Sequence, residues 1–137
     1  MLEPSTLSNN PLIDFPKLRT WAVVGATNNR DKFGYKIYHD LKNAGYTVYP
    51  VHPKLTELDG DRCYPNLTAL PEKPAVVNLV IPPAATAAVV DECIKLDIQN
   101  LWFQPGAEDA AAIEKAKAAG LTVVHDACIM IQKQQWT

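Results

Sequence analysis

The feature that most constrains the fold is an alternation of short apolar runs with segments of helical length. The runs occupy residues 20–25, 46–51, 75–81, 100–103 and 121–124, and they are rich in β-branched and aromatic side chains. Strands separated by helices imply right-handed crossovers and a parallel sheet covered on both faces. The sequence therefore predicts an α/β fold with a doubly wound parallel sheet of about five strands.

The segments between these runs carry the periodicity of amphipathic helices. A helix over 31–44, closed by Gly45, is predicted by an apolar stripe of Phe33, Ile37, Leu41 and Ala44. A second helix is predicted by the same spacing in Ala85, Val89, Cys93 and Leu96. A third is predicted after Gly106, with Glu108 and Asp109 in its first turn, Lys115 and Lys117 in its last, and Gly120 as its cap.

Two segments lack such periodicity. Prolines at 4, 11 and 16 exclude a long helix at the amino end, so we expect residues 1–18 to form an extended arm or short turns and 19–137 to form the domain. About twenty residues follow the second strand, a length that is often functional when it lacks regular structure. Within them, Asp59-Gly60 predicts a turn and residues 66–70 a short helical segment.

Composition excludes several classes of function. Thirteen Lys and Arg against fifteen Asp and Glu give a net charge of −2, without the basic excess that a nucleic acid partner requires. No apolar run approaches the ~20 residues of a membrane span, and residues 1–10 contain no apolar core of a secretory signal. Three widely spaced cysteines, Cys63, Cys93 and Cys128, fit neither a disulfide framework nor a zinc site. We expect a cytoplasmic protein with no nucleic acid partner and no membrane contact.

The loop after the first strand is a candidate phosphate site. It leads from a strand into a helix whose amino end offers unpaired amides and a positive dipole. Its candidate residues are Gly25, Ala26, Thr27, Asn28, Arg30, Lys32, Phe33, Gly34 and Tyr35. The alternative without a ligand is that Gly25 makes the turn and that Thr27, Asn28 or Asn29 caps the helix.

The end of the second strand separates two classes of nucleotide. NAD-binding domains combine GxGxxG with an acidic residue about 20 positions on, which accepts hydrogen bonds from the ribose. Here Thr27 and Arg30 stand in place of glycines, and the strand ends in Val51, His52, Pro53 and Lys54. A lysine attracts phosphate and cannot accept from a ribose diol, so a phosphorylated nucleotide is favoured over NAD. Alternatively, Lys54 is an ordinary solvated lysine.

A third loop follows the central strand and contains Val80, Ile81, Pro82 and Pro83. It can present an apolar wall and free carbonyls to an adenine, or Pro83 can simply begin a helix. In an open parallel sheet these three loops meet at the carboxyl edge, where the winding reverses and ligands bind. We predict no metal ligands and no catalytic residues, because neighbours such as His125 and Asp126 point to opposite faces of a strand and the cysteines lack an evident base.

Together these segments resemble the coenzyme A-binding domain family, in particular its small stand-alone members and the amino-terminal domain of the succinyl-CoA synthetase α subunit. The resemblance covers about residues 19–132. It rests on five motifs in order: VVGATNN with Gly34-Tyr35, YPVHPK, VVNLVIPP, LWFQPGA and GLTVVHDAC. The sequence departs from the family where Thr27 replaces a frequent serine and where His52 replaces a frequent asparagine.

The resemblance implies a three-layer, Rossmann-type domain that binds coenzyme A or an acyl-CoA without catalysing a reaction. It implies that residues 27–30 hold the phosphates, that Lys54 approaches a phosphate, and that residues 80–83 border the adenosine. The synthetases carry their phosphorylated histidine in a further domain, and related NAD-responsive repressors use an added DNA-binding domain. We expect neither domain here.

Two alternatives stay open at this point. One is an NAD(P)-binding enzyme that uses the same crevice, and the other is a nucleotide-binding subunit that docks on an acyl-CoA ligase partner. The sequence also leaves open whether the chain forms a homodimer.

Overall fold

The computed structural model describes residues 15–125 of the chain. Two short 3-10 helices, Phe15–Lys17 and Leu67–Ala69, accompany the regular elements. These are β1 (Thr20–Val24), α1 (Phe33–Asn43), β2 (Thr47–Val51), β3 (Glu57–Leu58), β4 (Asp61–Arg62), β5 (Val76–Leu79), α2 (Pro83–Lys95), β6 (Asn100–Phe103), α3 (Ala110–Ala118) and β7 (Thr122–Val124). Within the described part, no helix has both the length and the apolarity needed to cross a bilayer.

A single five-stranded parallel sheet organises the chain. The strand order is β2-β1-β5-β6-β7, and every neighbouring pair runs parallel. From β1 the chain winds first to β2 and then, beyond β1 on the other side, to β5. The winding therefore reverses between β1 and β5, which confirms the predicted doubly wound, three-layer Rossmann-type architecture.

Helices cover both faces of this sheet. On one face, Ile37 and Leu41 of α1 pack with Trp21 and Trp102. On the other face, the apolar residues of α2 and α3 pack against Ala22, Leu79, Leu101 and their neighbours. The central strands are buried on both faces, and this explains why they read as continuous apolar runs rather than as alternating ones.

The predicted element bounds are confirmed with small differences at the ends. The fourth strand occupies 100–103 as expected, whereas the third shortens to Val76–Leu79. At the amino end, Phe15–Lys17 forms a short turn of 3-10 helix, which is one of the two forms that the prolines allow. Phe15 is buried there, with its ring centroid 6.3 Å from that of Trp102.

The predicted start of the last helix is wrong. The helix begins at Ala110, so Glu108 and Asp109 lie outside its first turn. Glu108 Oε1 instead accepts a hydrogen bond of 2.8 Å from the amide of Gly106. Because this hydrogen bond holds the Glu108 carboxylate in the loop, the helix begins about one turn later than predicted.

The long connection after β2 contains a small hairpin that the sequence did not predict. Asp59 and Gly60 form the predicted turn, with φ values of +47° and +87° that suit a two-residue hairpin loop. The flanking strands β3 and β4 have two residues each, too few to show a period. The hairpin is anchored on α1, where Tyr35 Oη donates to Asp59 at 2.8 Å and Tyr38 and Lys42 both bond Asp61.

Candidate functional site

A cavity of about 850 Å³ opens at the carboxyl edge of the sheet, between β1 and β5, where the direction of winding reverses. Its wall is built from the ends of β1, β2 and β5, the amino end of α1, one face of α2 and residues 65–67. Both the size and the position are typical of small-molecule sites in open α/β sheets.

Two glycines allow the backbone segments at the base of this cavity to touch. Gly25 has φ +100°, and a Cβ atom on it would lie 2.1 Å from the carbonyl oxygen of Val80. A Cβ on Gly34 would lie 2.1 Å from the carbonyl oxygen of Gly25. Gly25 also donates to the carbonyl of Val51 at 3.0 Å. The three loops that the sequence singled out therefore meet through their main chains, and any side chain at these two positions would force them apart.

The polar groups of the first loop hold the loop itself rather than the helix. Thr27 Oγ1 accepts from the amide of Asn29 at 3.2 Å, and Asn29 Oδ1 accepts from the amide of Asp31 at 3.1 Å. The residue at the helix start is Lys32, which makes no side-chain capping bond. The capping alternative for Thr27, Asn28 and Asn29 is therefore wrong. Because its oxygen accepts, the Thr27 hydroxyl keeps its proton for donation to a further acceptor.

His52 lines the cavity and is held by a hydrogen bond from the main chain. Its Nδ1 accepts from the amide of Lys54 at 3.0 Å, so the proton of the neutral ring is carried by Nε2. Burial lowers the pKa of His52 below its ordinary value of 6.5, and the nearby charge of Lys54 lowers this pKa further. Both effects favour the neutral form of the ring.

Most of the residues predicted from the three loops do line this cavity. They are Gly25, Thr27, Lys32, Phe33, Gly34, Val51, His52, Pro53, Val80, Ile81 and Pro82. The predicted residues outside its lining are Ala26, Asn28, Arg30, Tyr35, Lys54 and Pro83.

The residues outside the lining have other surroundings. Ala26 is fully buried in the core beneath α1. Tyr35 bonds the hairpin at Asp59, and the guanidinium of Arg30 lies 5.5 Å from the centroid of the Tyr35 ring. Lys54 is exposed. Pro83 is the first residue of α2, so the helix-start alternative for this proline is confirmed.

The structure adds lining residues that sequence reasoning missed: Val24, Asp31, Pro65, Asn66, Leu67, Ala85, Ala88, Val89 and Glu92. Four of them could have been found from the sequence. Their helical spacing places them on one face of α2: Ala85, Ala88, Val89 and Glu92. Residues 65–67 carried none beyond the unusual length of their connection.

The thiols of the described residues are protected from reaction. Cys63 and Cys93 are buried, and burial raises the pKa of both, that of Cys93 to about 12. Such thiols are poor nucleophiles at neutral pH. Cys128, the remaining cysteine, and Asp126 lie outside the described residues.

Comparison with known proteins relates this architecture to a family. Residues 19–134 match the family model described as CoA binding domain. The chain is 34% identical over 96 residues to the ADP-forming acetate–CoA ligase I of Archaeoglobus fulgidus, a match that covers 70% of the chain but 14% of the ligase. It is 27% identical over 110 residues to the uncharacterized protein YneT of Bacillus subtilis, covering 80% and 82% of the two chains.

Solved structures agree with this relationship over nearly the whole chain. A hypothetical protein from Pyrococcus horikoshii OT3 superposes with a TM-score of 0.89 and 30% identity, covering 99% of this chain and 96% of that one. A conserved hypothetical protein from Pyrococcus furiosus has a TM-score of 0.80 and 36% identity, covering 83% and 98%. Because the family model matches residues 19–134, most of the chain, the protein belongs to the CoA binding domain family.

Proposed function

We propose that this protein binds coenzyme A, free or as an acyl-CoA, non-covalently in the cavity at the carboxyl edge of its sheet, and that it catalyses no reaction of its own. The observation that carries the proposal is the combination, in one cavity of about 850 Å³, of a glycine loop at a helix amino end with an extended apolar wall. Coenzyme A joins charged phosphates to an adenosine and a long, mostly uncharged arm, so it needs both kinds of surface. Membership of the family supports this ligand class.

The phosphates fit the side of the cavity formed by the first loop. The first turn of α1 has amides without intrahelical acceptors, and the helix dipole favours an anion there. Thr27 adds a hydroxyl donor and Lys32 a positive charge in the same lining. Gly25 and Gly34 let the first loop pack directly on neighbouring main chain, which fixes the position of the helix amino end in the cavity wall.

The apolar parts of the ligand fit the surface formed by the strand ends and α2. Val51 ends β2 there, Val80 and Ile81 follow β5, and Ala85 and Val89 of α2 continue the same surface. A flat base gains from contact with such a surface through burial of apolar area. The expectation that residues 80–83 border the adenosine is consistent with Val80, Ile81 and Pro82 in the lining.

We propose that the protein catalyses no reaction because polar side chains around the cavity are already hydrogen-bonded to the main chain. The Glu92 carboxylate accepts from two amides and a hydroxyl, and His52 Nδ1 accepts from the Lys54 amide. Groups held in this way position the main chain and are not set as a nucleophile and base pair. The ligase activity named for the Archaeoglobus relative belongs to a protein of which this chain covers 14%.

Calorimetry with coenzyme A and with NAD tests the proposal. Coenzyme A should bind more tightly than NAD, because Lys54 follows β2 where a carboxylate would be needed to accept from the NAD ribose. Native mass spectrometry of the purified protein, followed by denaturation, identifies any ligand that copurifies. Measurable binding of NAD without any response to coenzyme A would overturn the proposal and favour an NAD-dependent enzyme.

The exposed Lys54 provides a prediction about charge. If its ammonium contacts a phosphate, Lys54→Ala should weaken coenzyme A binding by about 1 to 3 kcal/mol, the range for a charge-assisted hydrogen bond. The melting temperature without ligand should barely change, since the side chain is exposed. Lys117→Ala, which removes the same charge from the last turn of α3, is the matched control. If the two variants bound coenzyme A with equal affinity, Lys54 would be an ordinary solvated lysine.

A further inference from the structure

One carboxylate in the cavity wall bonds a segment far from it in sequence. Glu92 lies on α2, and its Oε1 accepts from the amide of Leu67 at 3.2 Å. Its Oε2 accepts from the amide of Thr68 at 3.1 Å and from the Thr68 hydroxyl at 2.8 Å. All three donors belong to the 3-10 helix Leu67–Ala69.

These bonds hold the part of the wall that has the least regular structure. The 3-10 helix has three residues, and its internal support is the bond from the Ala69 amide to Asn66 Oδ1, at 2.9 Å, together with one main-chain bond from Leu70 to Leu67. So short a helix is unstable by itself. Leu67 lines the cavity and is 3% exposed, so its position determines the shape of the wall on that side.

The charge of Glu92 also needs an explanation, because an acidic group in the wall opposes an anionic ligand. Three donors directed at the carboxylate offset that charge and give it a structural use. A neutral amide would avoid the repulsion, but only a carboxylate offers a separate acceptor oxygen to each of the two main-chain amides.

We propose that Glu92 is a positioning residue that clamps the 3-10 helix Leu67–Ala69 to α2, and that the affinity of the cavity for coenzyme A depends on this clamp. The inference rests on the proposed function. Glu92 acts through its bonds to residues 67 and 68, of which Leu67 lines the cavity, and does not have to contact the ligand.

The test compares Glu92→Ala with Asp91→Ala in the full chain. Asp91 is the adjacent acid on α2, pairs with Lys115 of α3 and does not line the cavity, so its variant matches the change in charge. Two quantities are measured: the Kd for coenzyme A by calorimetry, and amide hydrogen exchange at Leu67 and Thr68. We expect Glu92→Ala to raise the Kd for coenzyme A about tenfold, the equivalent of one net hydrogen bond, and to speed hydrogen exchange at both amides. In Asp91→Ala, the Kd and both exchange rates should equal those of the wild type.

A second variant keeps the test decisive should Glu92→Ala fold poorly. Glu92→Gln retains one acceptor oxygen, so we expect an intermediate rise in Kd, about threefold, and fast exchange at one of the two amides. A purely structural role would lower the melting temperature and leave Kd unchanged in folded protein. That result, or slow exchange at both amides in Glu92→Ala, would overturn the clamp. Failure of the wild type itself to bind coenzyme A would instead overturn the proposed function.

Discussion

Replacing Gly25 by alanine should lower the free energy of unfolding by about 3 to 5 kcal/mol, since a left-handed backbone and a steric overlap act at the same position. The residue has φ +100°, a conformation that an alanine rarely adopts. Its new Cβ would lie 2.1 Å from the Val80 carbonyl oxygen, which belongs to the main chain and cannot rotate away. The end of β5 must then separate from the end of β1, and the base of the cavity opens. Coenzyme A binding should be lost with the stability.

Gly120→Ala separates the two contributions. Gly120 also has a positive φ, +87°, but no atom lies within 4 Å of the position that its Cβ would take. Only the left-handed conformation is then unfavourable, so we expect a loss of about 1 kcal/mol. Urea unfolding of both variants, followed by tryptophan fluorescence, measures the difference. Equal midpoints for the two variants would show that the contact with Val80 has no energetic weight.

Trp102→Ala should lower the free energy of unfolding by about 3 to 5 kcal/mol, the usual range for truncation of a buried aromatic side chain. Trp102 is fully buried on β6. Its ring centroid lies 6.2 Å from that of Trp21 and 6.3 Å from that of Phe15, so its loss leaves a cavity between the sheet and the amino-terminal 3-10 helix. Calorimetric melting gives the measurement.

The control for this truncation is an aromatic residue that the fold exposes. Phe33 is 59% exposed at the mouth of the cavity, so Phe33→Ala removes a ring of similar chemistry with little loss of buried area. Its melting temperature should stay close to that of the wild type. If Trp102→Ala had the same melting temperature as Phe33→Ala, that result would contradict the assignment of Trp102 to the core.

The sheet could be predicted because each strand is recognisable from the hydrophobicity of its own residues. Strands such as β1 and β5, buried on both faces, consist mostly of apolar residues, with Asn78 of β5 as a buried polar exception, and the helices between them carry an apolar stripe. The hairpin of β3 and β4 escaped prediction because two residues cannot display a period. The start of α3 was misplaced because a side chain, Glu108, satisfied an amide in the preceding turn, which no pattern of hydrophobicity records.

The sequence by itself determined the doubly wound sheet, the edge at which the cavity opens and the glycine that turns the chain at its base. Each of these follows from local periodicity, from the topology of a parallel sheet or, at Gly25, from a backbone conformation that glycine adopts most readily. Only the tertiary structure decided which side chains of the loops face the cavity. Ala26 lies in the core and Tyr35 turns to the hairpin, although Gly25 and Gly34 beside them line the site. The structure also joined Glu92 to Leu67, 25 positions apart. Such contacts depend on how helices and loops pack in three dimensions, and one-dimensional spacing contains no information about that packing.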